Sequence, residues 1–259
     1  MDALADPTAA PAIRADVAGN ALELIETGEG RLRAILELIA GAQQSVKILM
    51  YMFNTDMVGE RVRDALTEAA RRGVAVKLLI DGFGSAAGPS FFAPLEEAGG
   101  CVCVFNPAWG RRYLLRNHQK LIVIDSRTVL IGGANIDATY LGDQGSSHWR
   151  DLWLRLDGPE AKLPSRYFDS LFQWSRQKGS KLRSLQRMAA GYSEWRGSVS
   201  EVVTHGINGF ICSRWLLLRY CFSLPEICCA ARPASRSWRS AIIRLPRKAW
   251  ASIFRSTRR

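Results

Sequence analysis

Long uninterrupted apolar runs are missing from this chain. The best candidate, residues 207–224, is broken by Arg214 and Arg219, so a membrane-spanning helix is not expected. The amino terminus, Met1-Asp-Ala-Leu-Ala-Asp-Pro, has no basic segment leading into an apolar core and shows no secretory signal. Histidine is scarce, with three in 259 residues, and none lies near a cysteine. There is no Cys-x-x-Cys pair among the six cysteines, which argues against a zinc site and neither demands nor excludes disulfides. Cys101-Val-Cys103 reads as strand core, where a thiol behaves as a small hydrophobe. Acidic residues almost vanish towards the carboxyl end. Residues 176–259 hold 17 Lys and Arg against three acids, whereas the first 175 hold 18 bases against 21 acids. The net charge of +11 therefore belongs to the tail, and the body is mildly acidic.

What remains is an ordinary globular composition, 47% hydrophobic and 23% charged, long enough for a substantial core. Residues 1–20 read as a loose leader. Helical spacing follows over residues 30–44, with Leu32, Ile35, Leu36 and Ile39 on one face. Residues 46–53 suit a buried strand, 60–72 a helix closed by Gly73, and 74–80 a second strand ending in Asp81-Gly82. A third helix over 89–98 leads to a strand over 101–105. This alternation predicts an α/β fold whose mixed, mainly parallel sheet is flanked by helices. Residues 120–125 and 128–131 then read as a hairpin, 152–156 as a strand and 160–175 as a helix carrying Tyr167, Leu171 and Trp174. That assigns one domain to residues 21–178 and leaves 179–259 as a basic tail rich in Arg, Trp and Cys. Periodicity fades there, and the tail is expected to be poorly structured, an out-of-frame reading being one explanation. Trp215 to Leu218, Trp238 and Trp250 would let it lie on anionic lipid.

The chemistry gathers in residues 117–136. In an extended strand His118 and Lys120 share a face and Gln119 points the other way. Closing the hairpin through Ser126-Arg127, or through residues 125–128, sets His118 opposite Asn135 and Lys120 opposite Gly133. Imidazole, ammonium and carboxamide would then converge on one patch, with a glycine leaving room for a ligand. Such a patch suits a phosphate: Lys120 supplies point charge, Asn135 a neutral donor, and His118 a nucleophile or proton donor. None of these roles needs a metal or other cofactor. Asp125, at the turn, either fixes the loop through backbone amides or takes a direct catalytic part. Asp81 at a strand end reads mainly as a turn former, and Arg150 with Asp151 as a structural pair. Arg111, Arg112 and Arg116 either attract an anionic substrate or form a solvated basic loop. Trp109 and Phe83 read as loop packing.

The pattern His118-x-Lys120-x4-Asp125-x6-Gly132-Gly133-x-Asn135 resembles the HKD signature of the phospholipase D superfamily. Its Gly-Gly form is most similar to the bacterial cardiolipin synthase branch. The strand end at 51–54, Asp81-Gly82 and Trp149-Arg150-Asp151 agree, and the likeness covers residues 22–178, one family half-domain. The resemblance implies metal-free displacement at phosphorus through a phosphohistidine, with a second motif histidine protonating the leaving alcohol. It assigns catalysis to His118, Lys120 and Asp125, and phosphate binding to Lys120, Gly133 and Asn135. The implied substrate is an anionic phospholipid such as phosphatidylglycerol, handled at the inner face of a bacterial membrane or in the cytoplasm. Only one motif is present: His148 is followed by Trp-Arg and His205 by Gly-Ile. Either two copies share a site as a homodimer, or the chain is a truncated synthase that is silent alone. A dimeric phosphodiesterase acting on nucleic acid is the alternative, which the acidic body disfavours.

Overall fold

The computed structural model describes residues 13–105, 116–142, 149–177 and 182–191. The expectations for Trp109, Arg111, Arg112, His148 and the tail beyond 191 fall outside them. Eight strands form one sheet: β1 (Arg14–Val17), β2 (Asn20–Ile25), β3 (Ser45–Met50), β4 (Ala75–Asp81), β5 (Cys101–Phe105), β6 (Leu121–Ile124), β7 (Thr128–Gly132) and β8 (Trp153–Asp157). Their order across the sheet is β1-β2-β8-β7-β6-β3-β4-β5. The helices are α1 (Gly28–Gly41), α2 (Met57–Arg71), α3 (Pro89–Glu97), α4 (Ala138–Leu141), α5 (Lys162–Arg176) and α6 (Leu182–Gly191).

The expected α/β architecture of a mixed sheet between helices is present. Its parallel part is the β3-β4-β5 segment, where α2 and α3 make the crossovers. The expectation of a mainly parallel sheet is corrected for the rest: β6, β7, β8, β2 and β1 join antiparallel. Two further corrections concern the domain limits. Arg14–Val17, expected in a loose leader, pairs with β2 as an edge strand. Leu182–Gly191, assigned to the tail, is helical; it buries Leu185, and Ser184 Oγ accepts a hydrogen bond from Trp174 Nε1 at 3.0 Å. A strand of four residues carries too little alternation to be legible, whereas α6 is amphipathic in its own right.

Alternation along the central strands builds two cores. Ile48, Met50, Leu78, Ile80, Ile122 and Ile124 face α1, α2 and α3, while Leu49, Leu79, Leu121 and Val123 face α5. Residue types at the helix ends fix where the helices begin and stop. Thr27 caps α1 by accepting from the Gly30 amide, and Asp56 caps α2 through Gly59. Gly73, at φ +88°, stops α2 as expected. Its N–H reaches Ala70 O, and that of Val74 reaches Ala69 O. No helix among the described residues is long and apolar enough to cross a membrane.

One charge network interrupts the α5 side. Lys47, in the central strand β3, is buried and donates to Asp169 Oδ2 at 2.6 Å and Ser165 Oγ at 2.8 Å. Lys77 reaches the other carboxylate oxygen of Asp169 at 3.2 Å. Removing one partner strands a buried charge, whereas replacing both does not. Asp169→Ala is therefore expected to lower stability by about 3 kcal/mol, and Lys47→Met in the same chain to restore most of the loss. Urea unfolding of the single and double variants measures this.

The β6-β7 turn is a second anchor. Burial pushes the Asp125 carboxyl up, but amide hydrogens of Ser45, Gln43 and Gln44 outweigh it and hold it below its ordinary 3.8. Burial likewise raises Asp169 and its two lysines outweigh that, so its carboxyl also lies below 3.8. A depressed carboxylate contributes stability that is complete above the unfolded value and fades as pH falls through the folded one. Unfolding free energy is accordingly expected to be flat from neutral pH down to about 5 and to drop below about 4. Asp125→Asn should flatten part of that acid limb, as read from denaturant midpoints against pH.

Candidate active site

The site lies where chain segments leave the carboxyl ends of β3, β4 and β7, beside the entry to β6. β3 does not stop at its last paired residue. Beyond Met50 the chain stays extended, and Phe53 forms a parallel bridge with Ile136. Asn54 N–H bonds Ile136 O at 2.9 Å, and Ile136 N–H bonds Met52 O at 3.2 Å. The segment after β7 therefore lies alongside the extension of β3, and residues 117–120 run into β6 next to both.

His118 and Lys120 are brought together. Lys120 Nζ lies 2.9 Å from His118 Nδ1, 3.5 Å from Nε2 and 2.7 Å from the His118 carbonyl oxygen. The imidazole is exposed, whereas Lys120 is 4% exposed. Tyr51 forms the floor: its ring centroid is 4.3 Å from that of His118, and Lys120 Nζ is 5.3 Å from the same ring. As expected of a strand, Gln119 turns to the opposite face, where its Oε1 accepts from Tyr167 Oη at 2.5 Å.

Asn135 joins them by a different route from the one expected. Leu121 stands opposite Ile131 and Ile124 opposite Thr128, one residue away from the expected register. Asp125 and Ser126 both adopt left-handed φ angles, +52° and +54°, and Arg127 N–H closes the turn on Ile124 O. His118 and Lys120 precede β6, and Asn135 follows β7, so the cross-strand pairs 118–135 and 120–133 do not form. Instead buried Asn135 accepts the Met52 amide hydrogen on Oδ1 at 3.2 Å, one residue from the tyrosine that holds His118. Its side chain also bonds Tyr140. Burial raises the Tyr140 phenol; that bond draws it back, while the Asp151 and Asp137 charges push it further up.

One expected role is corrected and one is decided between its two readings. Asp125 fixes the loop through backbone amides and is not part of this cluster. It sits at the opposite end of β6, accepting from Gln43, Gln44 and Ser45 amides at 2.7–2.9 Å. A strand of four residues keeps it more than about 12 Å from the entry where Lys120 lies. Gly133 does not leave space for a ligand. Its N–H donates to Asp151 Oδ1 at 3.1 Å, and a Cβ there would stand 2.6 Å from that carboxylate. Gly132 is needed because a Cβ would overlap the Trp153 ring and the Leu152 carbonyl. The expected pairing of Asp151 with Arg150 gives way to backbone: its carboxylate takes Gly133 and Leu152 amides, and Arg150 is exposed.

Asp81 has a larger part than a plain turn residue. Fully buried, it accepts Phe83 and Gly84 amides on Oδ1 and the Asn117 amide on Oδ2 at 2.9 Å, directly before His118. Arg116 Nε approaches it at 4.0 Å while its guanidinium lies over the Phe83 ring, so Arg116 is held in the loop and only 15% of its side chain is exposed. Burial raises the Tyr51 phenol, the Asp81 charge adds to this and Arg116 opposes it, so Tyr51 stays protonated around neutral pH.

Sequence reasoning singled out the strand end at 51–54 without giving Tyr51 or Asn54 a role, and it missed Asp56 and Asp137. Asn54 Nδ2 donates to Asp137 Oδ2, and Asp137 Oδ1 accepts from the amide and hydroxyl of Thr139. Asp56, besides capping α2, accepts the Ala138 amide at 2.8 Å. Asp before a helix is a legible cap, but a second oxygen reaching 82 residues along the chain is not. Among the described residues no group of three His, Cys, Asp or Glu side chains is arranged to hold a metal ion.

Known proteins share this framework. Residues 35–171 match the family model described as cardiolipin synthase, PLD-like domain. The chain is 37% identical over 145 residues to the major cardiolipin synthase ClsA of Bacillus subtilis, covering 54% of this chain and 30% of that protein. It is 35% identical over 147 residues to cardiolipin synthase B of Salmonella typhimurium, covering 54% of this chain and 36% of that one. The matched stretch thus spans about a third of the length of these curated relatives. The crystal structure of phosphatidylserine synthase from Haemophilus influenzae shares the fold, with a TM-score of 0.50 and 16% identity over 74% of this chain and 46% of that one. With the family model spanning just over half of its length, the chain belongs to the phospholipase D superfamily, in the family of cardiolipin synthase PLD-like domains.

Proposed function

We propose that this domain supplies one half of a phosphodiester-cleaving, phosphatidyl-transferring site of the cardiolipin synthase kind, acting on an anionic phospholipid. The observation that carries the reading is exposed His118 beside buried Lys120 on the Tyr51 ring, with buried Asn135 bonded to the next residue of the same strand extension, Met52. A phosphoryl oxygen arriving there can replace the imidazole nitrogen as the acceptor for Lys120 Nζ, and leave the ring positioned to attack. In the first step a neutral His118 nitrogen forms a bond to phosphorus. The bond from phosphorus to the leaving alcohol oxygen breaks, and that oxygen takes a proton from a second imidazole. In the second step an acceptor hydroxyl gives its proton back to that imidazole and displaces His118 from phosphorus. Lys120 holds the charge that grows on the phosphoryl oxygens in both steps.

The second imidazole comes from another motif, supplied by a second copy of the domain across a two-fold axis or by a further half of the kind the longer relatives have room for. The relatives' names support a phospholipid substrate. Asp81 acts as a positioning residue by clamping the Asn117 amide beside the nucleophile.

The full chain, incubated with phosphatidylglycerol and separately with plasmid DNA, tests the reading. Headgroup release from the lipid, lowered about 1000-fold or more by His118→Ala, is the expected result. Nicking of the plasmid without lipid turnover would favour a nuclease, and inertness towards both would mark a half-site that is silent alone. Acid-labile label from phosphate-labelled lipid should appear on the wild-type chain and not on the His118→Ala variant. Asp81→Asn keeps the amide acceptor but weakens the clamp, and a loss in kcat of about tenfold with little change in KM is expected.

A further inference from the structure

Arg31 lies far from the motif in sequence, yet it is sealed inside the protein, 2% exposed in α1 beside buried Leu32 and Ile35. Its N–H closes the first turn of the helix on Thr27 O at 3.0 Å. That placement costs stability twice. A guanidinium is expensive to take out of water, and a cation in the first turn of a helix opposes the positive end of the helix dipole. An apolar side chain in the same stripe would carry neither cost, so the reason for an arginine lies in what its nitrogens reach.

Nη1 donates to Glu26 O at 2.9 Å and to Asp151 O at 2.7 Å, and Nη2 donates to Tyr140 O at 2.6 Å. All three carbonyls lie where regular structure ends: Glu26 between β2 and α1, Tyr140 in the last turn of α4, and Asp151 ahead of β8. Tyr140 and Asp151 stand 109 and 120 residues along the chain from Arg31. They are also the residues whose side chains hold the segment that follows β7. Asp151 Oδ1 accepts the Gly133 amide at 3.1 Å, and the Tyr140 side chain bonds Asn135. One planar fork therefore fixes the backbone beneath both supports, while Met52 holds Asn135 from the β3 side. We infer that Arg31 is a positioning residue for the Asn135 carboxamide, acting through Tyr140 and Asp151, an inference that rests on the phosphodiester reading for the role of Asn135. A carboxamide loosened by about 1 Å loses most of a hydrogen bond to a phosphoryl oxygen, and support of this kind is what keeps it in place.

Calorimetric titration of the full chain with inorganic phosphate tests this. Arg31→Met and Asn135→Ala are each expected to weaken binding about tenfold, and R31M/N135A no further than Asn135→Ala alone. A residue that acts through the carboxamide has nothing to act on once the carboxamide is gone, whereas a merely structural arginine gives losses that add. Hydrogen exchange reads the same arrangement without a ligand. The Gly133 amide is expected to exchange about tenfold faster in Arg31→Met, with that of Leu78 in β4 unchanged. Should Arg31→Met fail to fold, Arg31→Lys, which keeps the charge and gives up the fork, carries both measurements with changes of about threefold. Additive losses of phosphate binding, Gly133 exchange equal to wild type, or Leu78 accelerated to the same degree overturns the inference. If the wild-type chain binds no phosphate and the exchange difference persists, the phosphate reading fails and the positioning stands.

Discussion

A single backbone amide, that of Met52, ties the two halves of the motif to one scaffold. It donates to Asn135, while the neighbouring Tyr51 ring holds His118. The bridge between Phe53 and Ile136 gives this junction a ladder of its own beyond the end of β6. Because β3 is central and both its faces are packed, its extension is a rigid place on which to assemble side chains from three loops.

Carboxylates do most of the fastening, and they do it through peptide N–H groups. Asp81 holds the approach to His118, Asp125 the far turn, Asp151 the glycine pair, and Asp56 with Asp137 the return after β7. Asp81, Asp125, Asp151 and Asp56 each satisfy two or three backbone amides, and Asp137 one together with the Thr139 hydroxyl and the Asn54 side chain. This accounts for a mildly acidic body in a domain whose proposed substrate is itself an anion. The acids are committed to the backbone, and the ammonium of Lys120 remains beside the imidazole. Lys47 with Asp169 belongs to the same economy on the α5 side, away from the site.

Much of this was readable from residue order. Short apolar runs in residues 46–53 and 74–80 located β3 and β4, and a helical segment closed by Gly73 located α2. The shared face of His118 and Lys120 follows from the period of an extended chain. The register of the hairpin was not readable. Asp125 and Ser126 both take left-handed angles that only the anchoring amides of residues 43–45 make worthwhile, and this shifts the pairing by one residue. The same long-range contact decides between the two readings of Asp125, in favour of the anchored turn and against a catalytic part.

Local order in the chain thus determined the elements, the two-faced core and the identity of the groups that could meet a phosphate, because period and capping act over a few residues. Tertiary structure alone decided that Asn135 joins His118 through β3 and not across the hairpin, that Gly133 makes way for Asp151, and that β1 and α6 belong to the fold. Those outcomes depend on hydrogen bonds and close approaches between segments up to 83 residues apart in the case of Met52 and Asn135, and no local pattern encodes them.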